Sequence, residues 1–322
     1  MDHSLSSLLC QVNHQGEVVV VDEDLSVQFE DSGVSEDEYL QVLIEKEIGV
    51  GFGREESSFL LMSDWIKTAR LYAIIWILKT RATFGFRFQT AYLSVTYLDQ
   101  FLSRRSIDSE KCWAFRLLSV ACLSLAAKME ECDVPSLSEF PSQDYNFESK
   151  VIQRMELLVL STLEWNMNFT TPFAFLPYFI SKFSNQSPPP HIWSNIMQLI
   201  FTLMTEVNLM DHRPSVIAAA ATLVAIDPHL TRNTSELKIM CSVSQYWSLE
   251  IENIFACYDL IQRLRKEKTE RDNVIHSSSP PPPPTGSVAP IDKLETSVVG
   301  SSKRRRLTFT DHEEGQGKHE GS

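Results

Sequence analysis

The chain has 322 residues, 43% of them hydrophobic, which leaves room for two ordinary domains plus tails. Its net charge of -13 argues against binding phosphate backbones, where Lys and Arg supply most of the affinity. Six cysteines without a CxxC pair point to reduced, mostly buried thiols and away from a metal site.

Residues 1–34 are acidic and serine-containing, without helical periodicity, and are expected to be disordered. They open a stretch, 1–60, with fourteen acids against Lys46 and Arg54, so the acidity belongs to the N-terminus and the remainder is close to neutral. A first amphipathic helix is predicted from Ser35 to Ile48, with Ser35 as N-cap and Glu38 completing a capping box. Tyr39, Leu40, Leu43 and Ile44 would form its buried stripe, and Gly49, Gly51 and Gly53 end it. Asp64 is the expected N-cap of the next helix, through Trp65, Ala69, Tyr72 and Trp76. Further helices are predicted over Phe88–Phe101, Lys111–Met129 and Phe147–Leu163, the last with Val151, Met155, Leu158 and Val159 inward. The Lys111–Met129 segment is apolar on nearly every side, as suits the middle of a domain.

After Pro188–Pro190, helices are expected near His191–Val207, Pro214–Ile226 and Leu249–Arg265, the Ala-rich Pro214–Ile226 being a second central helix. No alternation of period two is present, so the fold class is all-α, with two tandem helical domains over 35–171 and 172–265. Residues 266–322 read as a disordered Pro/Ser-rich tail that carries a basic cluster. There is no N-terminal apolar leader, and the longest apolar stretch, Val216–Ile226, is too short to cross a bilayer, so a soluble protein is expected.

Five positions stand in order along the first domain: Arg70, Asp99 within Tyr97-Leu-Asp-Gln-Phe-Leu102, Leu117, Lys128 within Ala127-Lys-Met-Glu-Glu131, and Glu156 within Arg154-Met-Glu-Leu-Leu-Val-Leu160. With Arg213-Pro-Ser-Val-Ile-Ala-Ala-Ala-Ala-Thr-Leu223 in the second domain, they resemble the tandem folds of the cyclin family. The resemblance covers Val34–Arg265, about seven tenths of the chain. Lys79, Trp165 and Asn166 look more like plant D-type members than mitotic ones. Arg70 and Asp99, among apolar residues on successive helices, are expected to form a buried structural ion pair.

Lys128 and Glu156 have two readings. The ordinary one is a cation at a helix C-terminus and a solvated acid on an amphipathic helix. The resemblance implies that they hold a cyclin-dependent kinase through charged hydrogen bonds, with Leu125, Met129, Glu130, Trp165 and Met167 as contact positions. It thus implies a non-catalytic subunit that activates the kinase at the G1/S transition by favouring its active conformation. Retinoblastoma-related proteins and kinase inhibitors are further implied partners; no cofactor, metal, nucleic acid or membrane is expected. A double cyclin-fold transcriptional adaptor is the alternative, although it predicts a basic face that is missing.

Other sites depart from the family pattern. The patch where cyclins dock Arg-x-Leu substrates corresponds to Ala69, Tyr72, Ala73, Trp76 and Lys79, with Phe115 and Arg116 nearby. Only Trp76 is typical, and Lys79 replaces an acid, so docking is expected to be weak or altered. The pocket-protein motif Leu-x-Cys-x-Glu is represented by Leu8, Cys10 and Val12, where Val12 replaces the glutamate; a chance match in a tail is the other reading. Lys303, Arg304, Arg305 and Arg306 read as a nuclear import signal, so a nuclear protein that can shuttle to the cytoplasm is expected. Arg305–Phe309 also has the form of a docking motif, and a solvated charge cluster is the third reading.

Overall fold

The computed structural model describes residues 35–48, 63–108, 111–141, 145–184, 191–206, 209–226 and 251–277. Helix α1 (Glu36–Ile48) starts as its sequence dictates. The Ser35 hydroxyl accepts the Glu38 amide at 3.3 Å, and the Glu38 carboxylate accepts the Ser35 amide at 3.2 Å. Leu40, Leu43 and Ile44 are buried as expected, Tyr39 only partly, and Glu47 joins them inside.

Helix α2 (Asp64–Phe84) corrects one expectation: Ser63 occupies the cap position and Asp64 is the first helical residue. An acid in the first turn suits the positive end of the helix dipole without capping, and Asp64 also sits 3.7 Å from Lys67. The helix ends on Gly85, whose φ of 70° is the left-handed conformation that glycine adopts without penalty.

Helix α3 (Phe88–Arg104) is buried over twelve consecutive residues, Thr90–Phe101, and α4 (Cys112–Glu130) over nearly all of Ala114–Ala127. By length and apolarity α4 could span a membrane, contrary to the reading of the apolar stretches. Its most apolar window is 72% buried within the fold, which gives that surface a partner already. Helix α5 (Ser149–Thr162) turns Ile152, Glu156 and Val159 inward. Leu158, expected inside, is exposed, because the acid Glu156 takes the inward position on that turn.

A 3-10 turn at Pro172–Phe175 leads into α6 (Leu176–Phe183), an element the periodicity did not reveal because it is only eight residues long and two closely spaced prolines, Pro172 and Pro177, break the pattern at its start. Helix α7 (Ile192–Glu206), a 3-10 turn at Leu209–Asp211 and α8 (Pro214–Ile226) follow, with α8 buried from Pro214 to Val224. Helix α9 (Ile251–Ser277) runs twelve residues beyond the expected end at Arg265, since the charged residues after it are good helix formers. Among the described residues there is no strand. Of the four described cysteines only Cys122 and Cys257 are buried, where desolvation pushes both thiols up, Cys257 to about 12. Cys112 and Cys132 are exposed, Cys112 being the first residue of α4 and Cys132 lying two residues past its end.

One apolar cluster crosses the whole assembly, from Leu40 in α1 through Trp76 and Ile77 to Phe173, Ile217 and Phe255. A second, with Ala73, Leu98, Phe115, Leu125, Val159 and Met167, lies among α2–α5. Polar bonds stitch the first half to the second at the same junction. Asp99 accepts the Leu209 amide at 3.0 Å, and Glu47 accepts the Ser215 amide at 2.7 Å and its hydroxyl at 2.6 Å. Glu47 thereby supplies, from α1, the anionic cap that α8 lacks.

Candidate functional site

The five marker positions divide by burial. Arg70 and Asp99 are sealed, with side chains 1% and 0% exposed, and meet through two bonds of 2.6 and 2.8 Å. The fork-to-fork geometry satisfies both groups, and Asp99 spends its remaining capacity on Leu209. Leu117 is buried in α4. These three hold the fold together and offer nothing to a partner.

Lys128 and Glu156 are different. Lys128 lies in the last turn of α4, where a cation suits the helix dipole, and its ammonium meets the Glu156 carboxylate of α5 at 2.6 Å. The lysine side chain is 43% exposed and the glutamate 8%. The pair therefore reaches water mainly through the lysine, and it braces the end of α4 against the middle of α5. Met129 and Trp165 are 51% and 66% exposed, and Leu157, next to Glu156, is 56% exposed.

The remaining expected contacts sort unevenly. Leu125 and Met167 are buried in the second apolar cluster, so they support the face from beneath instead of lining it. Their apolar character is used up by packing against neighbours such as Leu98 and Val159. The Met167 carbonyl also accepts the Tyr97 hydroxyl at 2.8 Å. Glu130 is half-buried; burial raises its carboxyl above the ordinary value, Arg87 partly offsets this, and Glu131 adds to it.

Two features of the site escaped sequence reasoning. Leu157 looked like one more helix-face leucine, and only its place beside an inward acid could have marked it as outward. The second is the Glu131 bridge: its carboxylate accepts the Arg87 amide at 2.8 Å and the Thr90 hydroxyl, while Arg87 donates to the Glu130 carbonyl. This ties the end of α4 to the start of α3, which has no capping side chain of its own. That bare helix start was the available signal.

The substrate-docking positions do not form an open apolar floor. Trp76 is buried, its indole N–H donating to the Pro141 carbonyl at 2.9 Å, and the Arg116 guanidinium carbon lies 5.2 Å from its ring centre. Ala73 and Phe115 are buried, Phe115 edge-on to Trp65 at 5.4 Å, and Ala69 is partly covered. Only Tyr72 and Lys79 are exposed. The one residue of the family type is thus consumed by the core. Leu8, Cys10, Val12, Lys303, Arg304, Arg305 and Arg306 lie outside the described residues.

Comparison with known proteins places this geometry. Residues 38–168 match the family model of the cyclin N-terminal domain, and residues 170–286 match that of the cyclin C-terminal domain. Cyclin-D5-1 of Arabidopsis thaliana is 37% identical over 295 residues, covering 87% of this chain and 84% of that protein. Cyclin-D5-1 of Oryza sativa subsp. japonica is 45% identical over 200 residues, 61% of this chain and just over half, 54%, of that protein. The X-ray structure of a viral cyclin from herpesvirus saimiri superposes with a TM-score of 0.54 at 15% identity, over 71% of this chain and 96% of that one, a likeness of fold alone. The chain belongs to the cyclin family, the non-catalytic regulatory subunits of cyclin-dependent kinases, and the relatives it matches are plant D-type cyclins.

Proposed function

We propose that this cyclin binds its kinase where the end of α4 meets the middle of α5 and activates it at the G1/S transition. The observation that carries the reading is the half-exposed Lys128–Glu156 pair, whose sequence neighbours Met129 and Leu157 are exposed apolar side chains. A charged pair open on one side can give part of its bonding to a partner's backbone, and the apolar rim then excludes water and strengthens those bonds. Activation follows by population shift. A subunit that fits only the active kinase conformation favours it by its differential affinity, and moving an equilibrium from 1:99 to 99:1 takes roughly 5.5 kcal/mol.

The D-type relatives support the G1/S timing and a retinoblastoma-related substrate, and the basic run Lys303–Arg306 supports action in the nucleus. The covered Trp76 supports weak recognition of Arg-x-Leu peptides, and a micromolar or tighter complex with such a peptide would contradict that part. The test is reconstitution of the full chain with plant cyclin-dependent kinase subunits and assay of phosphate transfer to a pocket-protein substrate. Activity well above that of the kinase alone is expected; no activation of any such kinase would overturn the proposal.

A further inference from the structure

Helix α4 stops without the usual terminator. Its C-cap, Glu131, has φ of -105° and ψ of 145°, extended backbone in place of a left-handed glycine, and its amide returns to the Ala127 carbonyl at 2.9 Å. The final carbonyls of a helix have no partner within it, so such an end frays unless something outside holds it. Lys128 lies in that last turn, on a long side chain that is 43% exposed. Its ammonium keeps its place on Glu156 only while the turn stays wound.

Helix α3 starts with the complementary defect: its cap position is Arg87, and its first turn holds no acid. In a capping box, the acid three residues into the helix accepts the amide of the cap residue. Here Thr90 stands at that position, and the acid comes from the end of α4 instead. The Glu131 carboxylate accepts the Arg87 amide at 2.8 Å and the Thr90 hydroxyl, and the Arg87 guanidinium returns to the Glu130 carbonyl. The Glu131 side chain is only 12% exposed, so this joint occupies it and it presents little to a partner. The cap residue is also fixed from its other side. Phe86 is buried, and its amide and carbonyl are bonded to Arg81 at 3.0 and 2.6 Å. The Arg81 guanidinium lies 3.6 Å from the Phe88 ring centre. Glu131 thus ties the end of α4 to a fixed corner between α2 and α3.

We propose that Glu131 is a positioning residue for the kinase-binding pair: by capping α3 from outside, it keeps the last turn of α4 wound and holds Lys128 on Glu156. This rests on the kinase-binding reading above. Two helix ends that are each incomplete satisfy one another, and the lysine three residues before the joint is ordered as a result. A charged group already held in its bound geometry loses less conformational entropy on association. Glu131 therefore acts through Lys128 and without touching the kinase.

A double-mutant cycle tests it, read as affinity of the full chain for a cyclin-dependent kinase catalytic subunit, with the melting temperature of each variant as control. Glu131→Ala should weaken kinase binding about tenfold, and Glu131→Gln, whose amide oxygen still accepts the Arg87 amide, about threefold at most. In a Lys128→Ala background, titrated at higher protein concentration, Glu131→Ala should change affinity by less than about twofold, because the group it positions is gone. It should still lower the melting temperature there as it does alone. Thr90→Val removes one donor and keeps the shape of a buried side chain. It should show the same pattern at about threefold, and it reads the coupling if Glu131→Ala does not fold. Unchanged affinity in these variants, or an equal loss with and without Lys128, would overturn the positioning role and leave the kinase reading intact. Failure of the unmodified chain to bind any such kinase, or unchanged affinity in Lys128→Ala alone, would overturn the reading on which it rests.

Discussion

Two cation–carboxylate pairs, Arg70–Asp99 and Lys128–Glu156, bridge neighbouring helices across 29 and 28 residues of chain with closest approaches of 2.6 Å. Their surroundings differ. The first is closed to water on every side, bidentate, and has its spare acceptor engaged by Leu209 of the second half. The second joins through one bond, with its lysine 43% exposed and its glutamate nearly covered. Burial, rather than chemistry, separates the pair that holds the molecule together from the pair that can hold a partner.

The comparison breaks most readily at the sealed pair. Arg70→Ala leaves a buried carboxylate without its counter-ion and is expected to cost roughly 3–5 kcal/mol in chemical denaturation. A loss below about 1 kcal/mol would mean that Asp99 finds water, contradicting the closed junction. The open pair should respond asymmetrically. Lys128→Ala strands the mostly covered Glu156 and is expected to cost roughly 1–3 kcal/mol, whereas Glu156→Ala frees a lysine that reaches solvent and costs less than about 1 kcal/mol. Equal losses in the same denaturation series would remove the one-sided picture. Ser215→Ala, which takes the hydroxyl donor from Glu47, is expected to cost about 1 kcal/mol.

Glu130 sharpens the contrast with the smallest effect and the opposite sign. Burial raises its folded-state carboxyl above the unfolded value of 4.5. The folded state therefore takes up the proton first as pH falls, and stability rises through the window between the raised value and 4.5. At neutral pH the ionised form is the disfavoured one, so Glu130→Gln should raise the melting temperature slightly and flatten its dependence between pH 7 and 5. A lowered melting temperature at pH 7 would show that the charge is supported in the free chain.

Much of the architecture was legible because its causes are local. The capping box at Ser35 and Glu38, the Pro214 helix start and the apolar run of α4 each declare themselves in a few adjacent residues. Arg70 and Asp99 were legible as a pair because a charge among apolar neighbours needs a partner. What stayed hidden depends on distant parts of the chain. Glu47 reads as one more acid on an acidic helix until Ser215 arrives from 168 residues away. Trp76 matches a surface motif until the Pro141 carbonyl covers its indole. Leu125 and Met167 match contact positions, but contact positions and core positions are equally apolar, and only packing tells them apart. Trp165 carried the reverse lesson: its exposure comes from a backbone conformation that no residue-type preference would assign to Glu164 or Trp165.

The central claim is tested most directly by titrating a cyclin-dependent kinase subunit with the full chain and with a Lys128→Ala/Glu156→Ala double variant, reading phosphate transfer at each concentration. The account predicts that the unmodified chain activates the kinase, and that the double variant, still folded by circular dichroism, needs at least about a hundredfold more protein for the same activity. Matching activation curves for the two proteins would contradict it.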